Sequence, residues 1–171
     1  TVVAFPHGTV PTEVKVFEAQ RSLEAGAIEL DMVMAVSRML AGDYAYVEAD
    51  IRAMAEVTHA HGAELKVIFE NCYLTREMIV KACQISEAAG ADFVKTSTGY
   101  GTSGATLEDV RLMRASVSPR MKVKAAGGIR TLDEFLQYRA AGVNRIATRG
   151  SQAILEEAAQ RAVQGTLLEL E

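Results

Sequence analysis

Hydrophobic and polar positions along the chain form one repeated pattern, in which a helical stretch ends in small residues and glycine and an apolar strand follows. The pattern occurs at 24–31, 61–68, 89–95 and 141–148. Glycine after a helix supplies the left-handed backbone conformation that ends it. Strands that alternate with helices in this way are typical of βαβ units around a parallel sheet.

The apolar segments predict strands over Thr1–Phe5, Ala27–Met34, Glu64–Glu70, Asp92–Thr96, Lys122–Ala126 and Asn144–Thr148. Apolar residues at three- to four-residue spacing predict helices over Glu13–Ala25, Tyr46–His61, Arg76–Ala89, Leu107–Ala115, Leu132–Ala141 and Ser151–Val163. A closed eight-stranded barrel has more βα units and usually needs about 250 residues. Two architectures are therefore open: a doubly wound open sheet, or one barrel domain over 1–171 whose first two βα units are absent from this sequence.

Composition excludes some classes of partner. The chain has 171 residues, of which 49% are hydrophobic, and a formal net charge of −4. Its basic residues are scattered among acids, so no nucleic acid partner is expected. No apolar run reaches the roughly 18 residues of a membrane span, so no membrane partner is expected. Cys72 and Cys83 have no metal-type spacing and favour a reduced, cytoplasmic setting.

Two lysines near the ends of predicted strands carry the strongest chemical signal. Lys95 is followed by Thr-Ser-Thr-Gly and Lys124 by Ala-Ala-Gly-Gly. In parallel strands of one sheet, each ammonium would lower the pKa of the other, and one would become the neutral amine that Schiff-base chemistry needs. Period-two alternation directs Asp31 and Lys66 to the same inward face. The pattern indicates a class I aldolase or a relative.

Three loops after predicted strands indicate a phosphorylated small-molecule ligand. Glycines let backbone N–H groups approach an anion, with the N-terminus of the next helix behind them. The last loop also supplies an arginine where barrels commonly hold phosphate. The candidate ligand-binding residues are Thr98, Gly99, Gly127, Gly128, Arg149 and Gly150.

Five segments, in order, resemble the deoxyribose-phosphate aldolase family: Phe-Pro-His-Gly at 5–8, Glu-Leu-Asp-Met-Val at 29–33, Leu-Lys-Val-Ile at 65–68, Val-Lys-Thr-Ser-Thr-Gly at 94–99 and Val-Lys-Ala-Ala-Gly-Gly-Ile-Arg at 123–130. The resemblance covers nearly the whole chain and implies an α/β fold, a TIM (β/α)8 barrel. The resemblance also implies that the barrel is N-terminally incomplete in this sequence, because Thr1–Phe5 matches the family's third strand. The implied reaction is the reversible cleavage of 2-deoxy-D-ribose 5-phosphate to D-glyceraldehyde 3-phosphate and acetaldehyde.

The resemblance also implies roles for individual residues. Lys95 matches the Schiff-base lysine and Lys124 the second lysine, which lowers the pKa of the first. Asp31 matches the acid that serves with that lysine in proton transfer, and Lys66 matches a supporting lysine. No metal or other cofactor is implied, because the iminium is itself the electron sink.

One loop departs from the family. Ala147-Thr148-Arg149-Gly150 stands where the family usually shows Gly-Thr/Ala-Ser-Ser. An arginine can replace hydroxyl groups as a phosphate ligand, or serve a different substrate. Two alternatives therefore stay open: a related class I aldolase for another sugar phosphate, and a non-catalytic protein that binds a phosphorylated metabolite. A homo-oligomer is also left open.

Overall fold

A parallel sheet forms the centre of residues 1–168, the part of the chain that the computed structural model describes. The strands are β1 (Val2–Val3), β2 (Glu29–Val33), β3 (Glu64–Ile68), β4 (Phe93–Lys95), β5 (Lys122–Ala126) and β6 (Arg145–Ala147). They lie in the sheet in chain order. A doubly wound sheet reverses its strand order at a switch point. The order seen here excludes that alternative and confirms the predicted barrel-type α/β fold.

Helices follow the strands as predicted, with two short additions. They are α1 (Thr12–Glu24), α2 (Val36–Leu40), α3 (Tyr44–Ala60), α4 (Arg76–Ala88), α5 (Leu107–Ala115), α6 (Leu132–Ala140) and α7 (Ser151–Gln164), and a 3₁₀ turn covers Asn71–Tyr73. The additions, α2 and the 3₁₀ turn, are too short to show helical periodicity. Thr106 and Thr131 accept backbone N–H groups at the starts of α5 and α6, which stabilises those helix ends.

Five of the six described strands are shorter than the apolar pattern predicts, and at β1 and β3 the backbone gives the reason. Ala4 has a φ of +54° and its N–H donates to a Glu18 carboxylate oxygen at 2.7 Å, so β1 ends at Val3. Glu70 has a φ of +56°, and β3 ends at Ile68. Positive φ is uncommon for residues other than glycine and is incompatible with a continuing strand.

Alternate residues of the strands face two different environments. One face carries fully buried apolar side chains that join the main core with the helices: Leu30, Met32, Leu65, Val67, Val94 and Val123. The other face is concave and carries charged side chains. There, Arg145 on β6 pairs with Glu29 on β2, although three strands lie between them. The sheet is therefore curled like part of a barrel wall.

A buried ion pair joins the helices behind β2. Lys15 Nζ on α1 lies 2.6 Å from Asp50 Oδ2 on α3, and neither side chain is exposed. Lys15 also donates to the carbonyl of Val33 at 3.0 Å, and Thr12 donates to Asp50 at 2.8 Å. Buried charges need such partners. The pair thus fixes α1 and α3 against the carboxyl end of β2.

Candidate active site

Asp31 is the centre of a lysine cluster on the concave face. Its Oδ2 accepts hydrogen bonds from Lys95 and Lys124, each at 2.8 Å, and its Oδ1 lies 3.2 Å from Lys66 Nζ. Strand register explains the meeting, because Asp31 pairs with Lys66 and Lys95 pairs with Lys124 on neighbouring strands. The structure therefore brings together the four residues that alternation directed to one face.

Burial and charge act in opposite directions on these groups. Burial raises the pKa of Asp31, but hydrogen bonds from Lys124 and Lys95 outweigh it and hold that pKa well below its usual range. The pKa of Lys95 is lowered, first by burial; the bond to Asp31 opposes this, and the charge of Lys124 reinforces it. Burial is thus the largest cause of the shift at Lys95. An amine with a lowered pKa is a better nucleophile near neutral pH.

A second set of charges lies beneath this cluster, toward the amino ends of the strands. Lys66 Nζ donates to Glu29 at 2.6 Å, and Arg145 donates to the same carboxylate. The bonds from Arg145 and Lys66 lower the pKa of Glu29 to about 2. Lys122 pairs with Glu64. Lys66 therefore connects the Asp31 cluster to the lower charges.

Phe93 lies among these lower charges. The Lys66 ammonium is 5.1 Å, the Lys122 ammonium 4.8 Å and the Arg145 guanidinium 5.0 Å from its ring centre. Cations within about 6 Å of an aromatic face are attracted by its quadrupole. The ring of Phe93 therefore helps to stabilise three neighbouring cations, together with the carboxylates of Glu29 and Glu64.

The predicted glycine loops after β4 and β5 lie against each other. A Cβ on Gly104 would lie 2.4 Å from the carbonyl carbon of Gly127, so only glycine fits at this contact. The Ala105 N–H donates to the carbonyls of Ala126 and Gly127 at 3.0 and 3.1 Å. Gly127 and Gly128 both have positive φ, which is the conformation that favours glycine.

The loop after β6 joins the same region. Thr148 Oγ1 donates to the carbonyl of Ile129 at 2.6 Å and accepts the Gly150 N–H at 2.9 Å. Arg149 is exposed, and among the described residues no side chain makes a capping hydrogen bond at the first turn of α7. The three predicted loops thus lie at the carboxyl ends of neighbouring strands, as predicted for a parallel sheet.

Both hydrogen-bond donors of Thr98 bind a buried carboxylate. Its N–H and its hydroxyl both donate to the Glu70 carboxylate, the N–H at 3.1 Å. Glu70 is buried, and its left-handed backbone costs about 1–3 kcal/mol at an ordinary residue. Such outliers cluster at functional sites. The role of Thr98 as a ligand-binding residue stays a prediction.

Other chemical possibilities are limited. A cleft of about 320 Å³ lies between the loops after β1 and β2, and neither Lys95 nor Lys124 lines it. Burial raises the pKa of the Cys83 thiol to about 12, so this thiol is a poor nucleophile. Within residues 1–168, no group of three or more His, Cys, Asp or Glu side chains is arranged to hold a metal ion. In the same part of the chain, no helix is long and apolar enough to cross a membrane.

Sequence reasoning did not assign a role to four residues that contact the site. Glu29 and Arg145 form a pair 116 positions apart in the chain, which no local pattern reveals. Glu64 on β3 pairs with Lys122 on β5 across β4. Glu70 lay within a predicted strand. Of these four residues, only Glu29 could have been found from the sequence, because it lies two positions before Asp31 and alternation places both on the same face of the strand.

Similarity to known proteins covers most of the chain. Residues 1–151 match a family model described as DeoC/LacD family aldolase. The chain is 57% identical to the deoxyribose-phosphate aldolase of Thermococcus gammatolerans and 58% identical to that of Thermococcus kodakarensis, each over 158 residues. Each alignment covers 92% of this chain and 70% of the relative.

A solved structure shares the fold. The tetrameric deoxyribose phosphate aldolase from Aeropyrum pernix matches with a TM-score of 0.84 at 36% identity, over 92% of this chain and 66% of that one. The family model, the curated relatives and this structure agree, and the lysine cluster lies within the matched residues. The chain therefore belongs to the DeoC/LacD family of aldolases.

Proposed function

We propose that the protein catalyses the reversible cleavage of 2-deoxy-D-ribose 5-phosphate to D-glyceraldehyde 3-phosphate and acetaldehyde through a Schiff base on Lys95. The observation that carries the proposal is the buried amine of Lys95, 2.8 Å from a carboxylate that it shares with Lys124. The names of the curated relatives support the choice of substrate.

In this mechanism, the neutral amine of Lys95 attacks the C1 aldehyde of the open-chain sugar and water leaves. A base removes the proton of the C3 hydroxyl, the C2–C3 bond breaks, and its electron pair moves into an enamine on Lys95. Protonation of the enamine at C2 and hydrolysis release acetaldehyde and the free amine. The iminium acts as the electron sink, so neither a metal nor another cofactor enters the proposal.

Lys124, held in place by Asp31, is proposed to move these protons. The depressed pKa of Asp31 keeps it ionised, so it orients both amines and does not itself store a proton at neutral pH. The Lys124 side chain is 18% exposed and therefore has access to water. Because Lys124 and Lys95 bind the same Asp31 oxygen, the Lys124 amine lies close enough to exchange protons with a substrate bound to Lys95. Lys66 supports Asp31 from beneath through its 3.2 Å contact.

The phosphate group is proposed to bind at the loops after β4, β5 and β6. In these loops an anion can approach the backbone at the glycines, which are Gly99, Gly127, Gly128 and Gly150. Arg149 adds a positive charge beside the first turn of α7. Helix N-termini favour anions. Thr98 belongs to the same loop as Gly99.

We also propose that two further βα units complete the barrel in the working protein, as one domain. Within residues 1–168 no strand lies outside β1 or β6 in the sheet, and the chain spans about 70% of the length of these two curated relatives. Open sheet edges are usually covered or paired in stable proteins. A homo-oligomer is proposed because the Aeropyrum enzyme is tetrameric. The free thiols of Cys72 and Cys83 support a cytoplasmic location.

The decisive experiment traps the Schiff base. The protein is incubated with acetaldehyde and borohydride, digested and analysed by mass spectrometry. A reduced adduct on Lys95 is expected, and Lys95→Ala should abolish both the adduct and turnover. Lys122→Met is the matched control, because Lys122 lies on the neighbouring strand but outside the Asp31 cluster. Turnover by Lys95→Ala would refute the mechanism.

A second candidate is a related class I aldolase for another sugar phosphate. The observation that favours it is the exposed Arg149 in a loop where the family usually has hydroxyl groups. A panel of sugar phosphates, with deoxyribose lacking phosphate as control, separates the two candidates. Cleavage of another sugar phosphate with a higher kcat/KM would favour the second. Equal cleavage of phosphorylated and unphosphorylated deoxyribose would contradict the proposed phosphate site.

A further inference from the structure

Glu70 is a buried carboxylate that the mechanism above does not use. It is 3% exposed and lies directly after β3, against the loop that follows Lys95. Its Oε1 accepts the Thr98 N–H and its Oε2 accepts the Thr98 hydroxyl. The same hydroxyl accepts the Tyr100 N–H at 3.0 Å. One carboxylate therefore binds both hydrogen-bond donors of Thr98 and, through the hydroxyl, the N–H of Tyr100 in the same loop.

The loop also rests on Glu70 by direct contact. A Cβ on Gly101 would lie 2.6 Å from Cys72 Sγ and 3.1 Å from Glu70 Oε1. Any larger residue at this position would force the side chains of Cys72 and Glu70 to move. Beyond it, the ring of Tyr100 meets the ring of Phe5 edge-on, with 5.5 Å between their centres. The loop is thus held from below by Glu70 and from the side by the segment after β1.

The backbone on both sides of Glu70 is fixed to the strand that carries Lys95. The Phe69 N–H donates to the carbonyl of Lys95 at 3.0 Å, and the Asn71 N–H donates to the carbonyl of Thr96 at 2.9 Å. Between these bonds, Glu70 itself adopts the left-handed conformation, with a φ of 56° and a ψ of 63°. Its carboxylate therefore has a defined position relative to Lys95.

We propose that Glu70 is a positioning residue for substrate binding. It holds the segment 98–101 so that the exposed Gly99, rather than Thr98, is presented to the phosphorylated end of the substrate. Thr98 has already donated its N–H and its hydroxyl to Glu70, so neither is free for an anion. Glu70 makes no hydrogen bond to Asp31, Lys95 or Lys124 in the described structure. Its effect therefore falls on binding of the phosphorylated substrate and not on amine chemistry.

Two readouts separate this role from a purely structural one. The first is KM for 2-deoxy-D-ribose 5-phosphate, and the second is the rate of borohydride trapping with acetaldehyde, which carries no phosphate. Glu70→Ala is expected to raise KM at least tenfold and to change the trapping rate less than twofold. Glu70→Gln is expected to lie near wild type in both, because its amide oxygen accepts the Thr98 N–H and its NH₂ donates to the hydroxyl.

Other outcomes overturn the proposal. An unchanged KM in Glu70→Ala would show that the loop does not need this carboxylate. An equal loss of both readouts would make the residue merely structural. If Glu70→Gln raised KM as much as Glu70→Ala, hydrogen-bond geometry would not be the cause.

A second variant tests the proposal if Glu70→Ala does not fold. Gly101→Ala pushes a Cβ against Cys72 and Glu70 and displaces the loop, so the same rise in KM is expected. Adding Cys72→Ala removes the closest contact and should restore part of the affinity. A wild-type KM in Gly101→Ala would contradict the proposal.

This inference rests on the proposed function, and the two fail in different ways. If wild-type protein forms no acetaldehyde adduct on Lys95, the proposed function fails whatever Glu70 does. If the adduct forms but KM does not respond to Glu70→Ala, the proposed function stands and the role of Glu70 fails.

Discussion

Replacing Lys124 by leucine is expected to raise the pKa of the Lys95 amine and to move Schiff-base formation to higher pH. Both amines donate to Asp31 Oδ2 at 2.8 Å, so the two nitrogens lie within twice that distance of each other. Without Lys124, Lys95 loses a like charge and no longer shares this oxygen. Both changes favour its charged form.

The size of the shift follows from the geometry. Two unit charges about 5 Å apart interact by about 3 kcal/mol at an effective dielectric constant of roughly 20, which corresponds to about 2 pK units. The Lys124 side chain is 18% exposed, so water screens part of this repulsion. We therefore expect a rise of about 1–2 pK units. Below its pKa, the free-amine fraction falls tenfold per unit, so adduct formation near pH 7 should slow by about 10- to 100-fold.

The assay is the initial rate of adduct formation on Lys95 with acetaldehyde and cyanoborohydride, measured as a function of pH. Only the unprotonated amine attacks, so the rate rises through the pKa of Lys95, and a raised pKa moves that rise to higher pH. Asp31→Asn removes the anion that favours the charged amine and should move the rise to lower pH. Lys122→Met is the control and should leave the midpoint in place. An unchanged midpoint in Lys124→Leu, or shifts of equal sign in the Asp31 and Lys124 variants, would refute the reasoning.

Three further predictions concern binding and stability. Arg149→Ala should raise KM for the phosphorylated substrate about tenfold without slowing acetaldehyde trapping, since a guanidinium–phosphate contact is lost; an unaltered KM would leave Arg149 outside the site. The pKa of Glu29 is lowered from 4.5 to about 2, so its stabilising contribution is present above pH 4.5 and is lost as the pH falls toward 2. Glu29→Gln should therefore lower the free energy of unfolding by about 1–2 kcal/mol at pH 7, a value reduced for the partial exposure of Glu29, and by little near pH 2. Urea titrations that give the same difference at both pH values would contradict this. Asp50→Ala should lower the free energy of unfolding by about 3–5 kcal/mol, because Lys15 loses its buried partner. The double variant Lys15→Met, Asp50→Leu should recover much of this loss. A loss below about 1 kcal/mol in Asp50→Ala would show that the pair matters little.

Much of the fold was predictable because its signals are local. Helix-ending glycines and apolar strands recur along the chain, and each strand pairs with its neighbours in sequence. Lys95 and Lys124 could be placed together because both lie late in adjacent parallel strands. The pairing of Glu29 with Arg145 could not be predicted, because it depends on the curl of the whole sheet.

Glu70 shows a different limit of sequence reasoning. Its position beside Thr98 depends on a left-handed backbone that a glutamate rarely adopts, and the apolar pattern therefore placed it in an ordinary strand. The contact between Thr98 and Glu70 could not be predicted for the same reason. The motif identifies the hydroxyl, but only the fold shows that a buried carboxylate already binds it.

The state of Lys95 depends on how one carboxylate is shared. Burial lowers the pKa of Lys95 most, and the bond to Asp31 opposes burial by favouring the charged amine. Here Asp31 also binds Lys124 through the same oxygen and contacts Lys66 through the other. One negative charge is thus divided among three amines, and the most buried amine of the pair at Oδ2 is Lys95. Lys124 and Lys66 therefore oppose the effect of Asp31 on Lys95 in two ways: they compete for the same carboxylate, and the charge of Lys124 repels the charged form of Lys95.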